Sequence, residues 1–138
     1  MVDDEEFGRW WAEATAASEL ARQARGGTTP ELDVLLAEQA AQLSAKALLH
    51  VLGAGPWGHD LVRLGAVVAE SVDQPLPPPL DTALIRLSRR YSATRYPDAH
   101  PEGSPAEHYS AEDTDQALAD LDLVLAEVDE MWQQLRAG

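Results

Sequence analysis

The chain contains no cysteine. This absence excludes disulfide bonds, thiolate metal sites and a cysteine nucleophile, and it fits a protein that works in a reducing compartment. Histidines and acidic residues do cluster between Asp98 and His108, but their spacing matches no standard ligand motif. We therefore expect no metal and no cofactor, and any chemistry must rest on histidine, carboxylate, hydroxyl and arginine side chains.

Long apolar runs are also missing. No uninterrupted apolar stretch approaches the roughly 20 residues that a membrane-spanning helix requires. The first six residues include four acids, whereas a secretory signal begins with positive charge followed by an apolar run. These patterns predict a cytoplasmic protein without a membrane partner.

Positive charge is scarce and unevenly placed. Ten lysines and arginines face 24 acids, which gives a net charge of −14. Only residues 76–100, the basic segment, carry more bases than acids, whereas residues 101–138 hold ten acids and one arginine. Because the rest of the chain repels polyanions, a phosphate-bearing ligand would have to bind the basic segment, through Arg86, Arg89, Arg90 and Arg95. The alternative is that these arginines only balance the acidic last helix.

No segment has the alternating pattern of a β-strand, and every strong periodicity is helical. Apolar stripes predict five helices, of which the fourth should end by Arg95 because Tyr96 precedes Pro97. Prolines should keep residues 74–79 extended and residues 97–109 non-helical. Since the chain is long enough for one core, we predict an all-α, four- or five-helix up-and-down bundle in a single domain, residues 1–138.

Four stretches resemble motifs of one family. They are QAAQLSAKAL at 39–48, GHDL at 58–61, TRYPD at 94–98 and YSAED at 109–113. The first departs from the pattern QAAEKAxKAL at Gln42 and Leu43. In their order, and over roughly residues 9–135, they resemble the HEPN family (higher eukaryote and prokaryote nucleotide-binding domains). The resemblance implies a bundle of four or five helices, in a family of ribonucleases, partners of minimal nucleotidyltransferases and non-catalytic nucleotide binders.

Arg95 and His100 have the R-x4-H spacing that resembles the catalytic motif of HEPN ribonucleases. Histidine, with an ordinary pKa of about 6.5, can take a proton from a ribose 2′-hydroxyl and return one to the leaving oxygen. Arginine stays charged, and its planar fork of donors stabilises charge on phosphate oxygens. Such a reaction needs no metal and would leave a 2′,3′-cyclic phosphate, the product that the resemblance implies.

The neighbours of Arg95 leave other interpretations open. Tyr96 stands where family ribonucleases often have a polar residue, and it could stack on a base or hold the loop. Asp98 could occupy the guanidinium of Arg95 in an ion pair. We predict Arg95 and His100 as catalytic residues, with further contacts to phosphate or ligand from Arg86, Arg89, Arg90 and Tyr96.

His59 precedes the apolar stripe of the third helix and is interpreted as the cap of that helix.

Surplus apolar surface predicts a homodimer. The last helix carries a regular apolar seam, and dimers of two-fold symmetry are the commonest way to cover such surplus. In that dimer, Arg95 and His100 of both chains should face one cleft. Four aromatic residues are interpreted as core or dimer contacts: Trp10, Trp11, Trp57 and Trp132.

Three functions remain open at this point. The leading prediction is a toxin-like endoribonuclease that cleaves RNA and pairs with an antitoxin of the minimal nucleotidyltransferase family. The second is a non-catalytic accessory subunit of a nucleotidyltransferase, which binds a nucleotide or another phosphate-bearing ligand. The third is a purely structural dimerising module, for which the seam of the last helix suffices.

Overall fold

A computed structural model describes residues 3–138, so Met1 and Val2 of the predicted domain lie outside the described residues. Within that range all regular structure is helical, and the predicted all-α up-and-down bundle is confirmed. None of these helices is both long and apolar enough to cross a membrane. The α-helices are α1 (Asp4–Ala24), α2 (Pro30–Val51), α3 (Leu61–Val72), α4 (Pro78–Ser88), α5 (Arg90–Arg95) and α6 (Ala111–Ala137).

Two helices begin at side chains that satisfy free backbone amides. Asp60 precedes α3 and accepts hydrogen bonds from the amides of Val62 (2.9 Å) and Arg63 (3.4 Å). The prediction that His59 caps this helix is therefore wrong, because the shorter aspartate reaches the amides from the capping position. At α6, the amide of Ser110 donates to the carboxylate that lies three residues later (2.9 Å), which completes a capping box.

Proline and a single break shape the fourth helix. The prediction of an extended segment over 74–79 is wrong for its last two residues, because α4 begins at Pro78. The first amides of a helix have no partner within it, so proline is tolerated there. The predicted fourth helix is interrupted at Arg89 but ends at Arg95 as expected. Beyond it, residues 97–109 contain two 3₁₀ turns, Pro97–Ala99 and Pro105–His108, and no α-helix.

The core forms around α2, which contacts every other α-helix. Small side chains dominate its buried face and let the neighbouring helices approach closely. Trp132 is buried and stacks on Phe7 with 4.2 Å between ring centres, whereas Trp57 is 82% exposed. Trp57 is therefore not a core residue, and its interpretation as a dimer contact stays a prediction. The apolar seam of α6 is buried at Leu118, Leu121, Val128 and Trp132.

Candidate functional site

The guanidinium of Arg95 is turned toward α2 rather than into solvent. Its Nη1 donates to the carbonyl of Tyr91 (3.0 Å), and its Nη2 donates to Oε1 of Gln39 (3.2 Å). Nη2 also lies 3.1 Å from Oε1 of Glu38, and the arginine side chain is only 15% exposed. The guanidinium carbon stands 4.0 Å from the centre of the Tyr91 ring, a cation–π contact. The ion pair of Arg95 is thus with Glu38, not with Asp98, which is exposed.

Glu38 is a carboxylate with no exposed surface. The Nε2 of Gln42 donates to its Oε2 (2.5 Å), while its Oε1 accepts no hydrogen bond from the described residues. Burial raises the pKa of the Glu38 carboxyl, because a charge is costly away from water. The Gln42 hydrogen bond and the charge of Arg95 oppose that rise. Arg95 is therefore the counter-ion that makes a buried carboxylate tolerable at this position.

His59, which lies just before α3, contacts the residues around Glu38 and Arg95. The Nδ1 of His59 lies 3.3 Å from Oε1 of Gln42. Its ring stacks on that of Tyr91, with 5.5 Å between centres and 19° between planes. Gln42 thus connects His59 to the buried carboxylate, and Tyr91 contacts both His59 and the guanidinium. We call these five residues the Arg95 network: Glu38, Gln42, His59, Tyr91 and Arg95.

His100 closes the C-terminal end of α5. The Nε2 of its ring lies 2.7 Å from the carbonyl oxygen of Ala93. A helix would ordinarily supply that carbonyl with an amide four residues later, but Pro97 has none. Because a carbonyl can only accept, this contact selects the neutral tautomer in which Nε2 of His100 carries the hydrogen and Nδ1 the lone pair. The ring also stacks on His108, with 4.1 Å between centres and 7° between planes.

Backbone carbonyls of α5 accept hydrogen bonds from both predicted catalytic side chains. No hydrogen bond joins Arg95 to His100 in the described part of the chain. Arg95 donates to the carbonyl of Tyr91, and His100 donates to that of Ala93, only two residues further along. Both side chains are thus anchored to the backbone of the same short helix.

Two other arginines of the basic segment are held by α6. Arg86 makes a two-pronged contact, in which Nε and Nη2 donate to Asp120 at 3.1 and 2.7 Å. The hydrogen bonds and charge of Asp120 raise the pKa of Arg86 above its ordinary value. Arg90 lies 3.3 Å from Asp113 and 5.6 Å above the Tyr109 ring centre. At both places the acidic last helix balances the arginine, as the alternative interpretation of the basic segment expects.

Arg89 and Tyr96 lie on the surface. Tyr96 is 49% exposed, and Arg89 has no ion pair with any residue from 3 to 138. The two side chains are accessible to a ligand. The assignment of Arg86, Arg89, Arg90 and Tyr96 as phosphate or ligand contacts stays a prediction.

The polar residues of the loop after α5 hold the loop itself. The Glu107 carboxylate accepts from the amide of Ser104 (2.7 Å), and Nε2 of His108 lies 2.6 Å from the carbonyl oxygen of Glu102. In residues 3–138, no three histidine or carboxylate side chains gather where they could hold a metal ion. Glu107, His100 and His108 thus have local structural partners.

Sequence reasoning missed Glu38, Gln42 and His59 as neighbours of Arg95. A signal for the first two exists, since a glutamate and a glutamine four residues apart share one helix face with buried alanines. A buried acid requires a counter-ion, and the densest group of cations lies in the basic segment. No periodicity, however, indicates that α5 and the start of α3 meet this face of α2.

The chain is thus an all-α helical-bundle domain, in which α5 ends at Arg95 and His100 caps that end. The HEPN domain family matches residues 7–131, and the chain belongs to the HEPN family. This confirms the resemblance that the sequence motifs carry.

Two solved structures support the assignment. TT1696 from Thermus thermophilus is 34% identical, has a TM-score of 0.83, and aligns over 90% of this chain and 96% of its own. ST0689, an archaeal HEPN homologue, is 28% identical, has a TM-score of 0.76, and aligns over 91% of this chain and 96% of its own. No curated protein matches the chain at a significant level.

Proposed function

We propose that this HEPN protein is a metal-independent endoribonuclease in which Arg95 and His100 act on the scissile phosphate. The observation that carries the proposal is that carbonyl groups of α5 anchor both side chains, Tyr91 for Arg95 and Ala93 for His100. His100 is held there with Nδ1 as the proton-accepting nitrogen. Arg95 uses one Nη1 hydrogen and Nη2 for protein contacts, so its Nε and second Nη1 hydrogen have no protein partner among residues 3–138.

The reaction uses these atoms in order. Nδ1 of His100 takes the proton of the ribose 2′-hydroxyl, and the 2′-oxygen forms a bond to the adjacent phosphorus. The bond from phosphorus to the 5′-oxygen of the next nucleotide breaks, and the protonated histidine returns the proton to that oxygen. Arg95 donates to the phosphate oxygens, where negative charge accumulates in the transition state. The products are a 2′,3′-cyclic phosphate and a 5′-hydroxyl.

A homodimer completes the proposal. In one chain the local positive charge is small, because Arg86 and Arg90 are paired with α6. A two-fold axis near the end of α5 would bring two copies of Arg95 and His100 to one cleft and double that charge. Exposed Arg89 and Tyr96 would then contact the RNA strand, the tyrosine by stacking on a base. A minimal nucleotidyltransferase partner would act as the antitoxin of this nuclease.

The test is cleavage of a defined RNA by the purified protein in the presence of a chelator. We expect cleavage with 2′,3′-cyclic phosphate ends. His100→Gln should abolish it, since a glutamine amide can still donate to the Ala93 carbonyl but has no basic nitrogen. Arg95→Lys should reduce it strongly, because lysine keeps the charge and loses the fork. Arg25→Ala, at an exposed position directly after the C-terminal end of α1, is the control and should retain full activity. A requirement for added metal, or full activity in His100→Gln, would contradict the proposal.

One observation favours a second candidate, the non-catalytic accessory subunit that binds a nucleotide or another phosphate-bearing ligand. Arg95 already has an anionic partner in Glu38, and α6 neutralises Arg86 and Arg90. Such a surface suits a small ligand better than a long polyanion. Saturable binding of ATP without RNA cleavage would favour this candidate. A protein that dimerises but neither binds ATP nor cleaves RNA would favour the third function, a purely structural dimerising module.

A further inference from the structure

His59 is held by side chains of two other helices. Gln42 from the middle of α2 contacts its Nδ1 at 3.3 Å, and the ring of Tyr91 from α5 stacks on its imidazole. The helix that follows His59 is capped by Asp60, so the histidine is not needed for that role. An exposed histidine with two specific contacts and no capping function calls for another explanation.

The hydrogen bonds of Gln42 determine which nitrogen of His59 is protonated. An ionised carboxylate only accepts, and the guanidinium 3.1 Å from Glu38 favours the ionised form. The amide nitrogen of Gln42 must therefore face Glu38, and its oxygen faces Nδ1 of His59. Nδ1 then carries the hydrogen, and the lone pair lies on Nε2. A carboxylate that orients an imidazole through an intervening group is an arrangement that positions functional side chains.

The same contacts link His59 to Arg95 along two routes. One runs through Gln42 to Glu38, the partner of the guanidinium. The other runs through the Tyr91 ring, which stacks on the imidazole of His59 and also makes the cation–π contact with the guanidinium of Arg95. Each side chain restrains the next, so loss of His59 would remove one of the contacts that hold Gln42 and one of those that hold Tyr91.

We propose that His59 is a positioning residue of the Arg95 site: through Gln42 and Glu38, and through the Tyr91 ring, it holds the guanidinium in the orientation that receives a phosphate. This inference rests on the proposed function for what Arg95 binds, but not for how Arg95 is held.

Nitrogen NMR of the imidazole and guanidinium groups tests the positioning directly, without any ligand. At pH 8 we expect His59 in the Nδ1–H form and His100 in the Nε2–H form. The side-chain Nε–H resonance of Arg95 should be sharp in the wild type. This resonance should broaden in His59→Ala. It should be sharp again in His59→Asn, because the asparagine amide can occupy the place of Nδ1–H. His50→Ala, which removes a histidine that packs on Trp10 in α1, is the control and should leave the Arg95 resonance unchanged.

The affinity for 3′-AMP tests whether the positioning matters for ligand binding. His59→Ala should lower this affinity by about fivefold, the factor that corresponds to one neutral hydrogen bond, while His59→Asn should bind 3′-AMP as the wild type does. An Nε2–H form of His59 at pH 8, or an unchanged Arg95 resonance in His59→Ala, would overturn the inference. If wild-type protein neither binds 3′-AMP nor cleaves RNA, the proposed function fails, and the NMR result still decides the role of His59.

Discussion

Replacement of Arg95 by alanine removes the counter-ion of a carboxylate that has no exposed surface. Breaking a buried ion pair by deleting one partner costs about 3–5 kcal/mol in the free energy of unfolding, since the remaining charge is unpaired. Glu38 can limit this cost by taking a proton. Protonating a carboxyl whose ordinary pKa is 4.5 costs about 3 kcal/mol of free energy at pH 7, because each pH unit above the pKa adds roughly 1.4 kcal/mol. We therefore expect Arg95→Ala to lose about 3 kcal/mol at pH 7.

The loss should depend on pH with a definite sign. Burial raises the pKa of Glu38 in the folded state, and removal of Arg95 raises it further because the attraction that opposed the rise is gone. Between the unfolded and folded pKa values, the folded protein holds a proton that the unfolded protein releases. Stability therefore falls as pH rises through this interval and is level above it. At pH 5 the proton costs less than about 1 kcal/mol, so the difference between variant and wild type should shrink.

Urea unfolding followed by circular dichroism at pH 5, 6, 7 and 8, at one fixed protein concentration, measures this difference. Arg89→Ala removes an exposed arginine without an ion pair in the described residues and should stay within about 0.5 kcal/mol of wild type at every pH. In a Glu38→Gln background, Arg95→Ala should lower the unfolding free energy by the same amount at every pH, because no carboxyl is left at position 38 to titrate. An Arg95→Ala penalty equal at pH 5 and pH 8, or absent at pH 8, would refute the reasoning.

Further predictions concern the core and the glycines. Trp132→Ala should lower the unfolding free energy by about 3–5 kcal/mol in urea titrations, whereas Trp57→Ala, at a position 82% exposed, should change it by less than about 0.5 kcal/mol. Gly8→Ala should raise the melting temperature, because a Cβ there meets no atom within 4 Å and alanine favours the helix by about 1 kcal/mol. Gly65→Ala should lower it, because the added Cβ would lie 2.7 Å from a methyl of Leu84, and overpacking costs about 1–3 kcal/mol. Melting curves in which both glycine variants shift in the same direction would show that packing does not separate the two positions.

The helices and most of their ends follow from local sequence. The apolar spacing of α6, the serine and acid at its start, and the proline after Tyr96 each act within a few residues, so they can be recognised without a structure. The same holds for the pair Arg95 and His100 as candidates. Two boundaries were wrong for local reasons as well. Pro78 starts a helix because first-turn amides need no partner, and Asp60 rather than His59 reaches the amides of α3.

What Arg95 contacts was decided only by tertiary packing. Its partner Glu38 lies 57 positions earlier in the chain, and His59 reaches the same cluster from a third helix. Asp98, the acid nearest in sequence, makes no ion pair with it. An isolated helix would leave Glu38 in water, where a carboxylate needs no counter-ion. Only when α1, α3, α5 and α6 cover α2 does desolvation make the charge costly, and that cost is what selects the guanidinium as its neighbour.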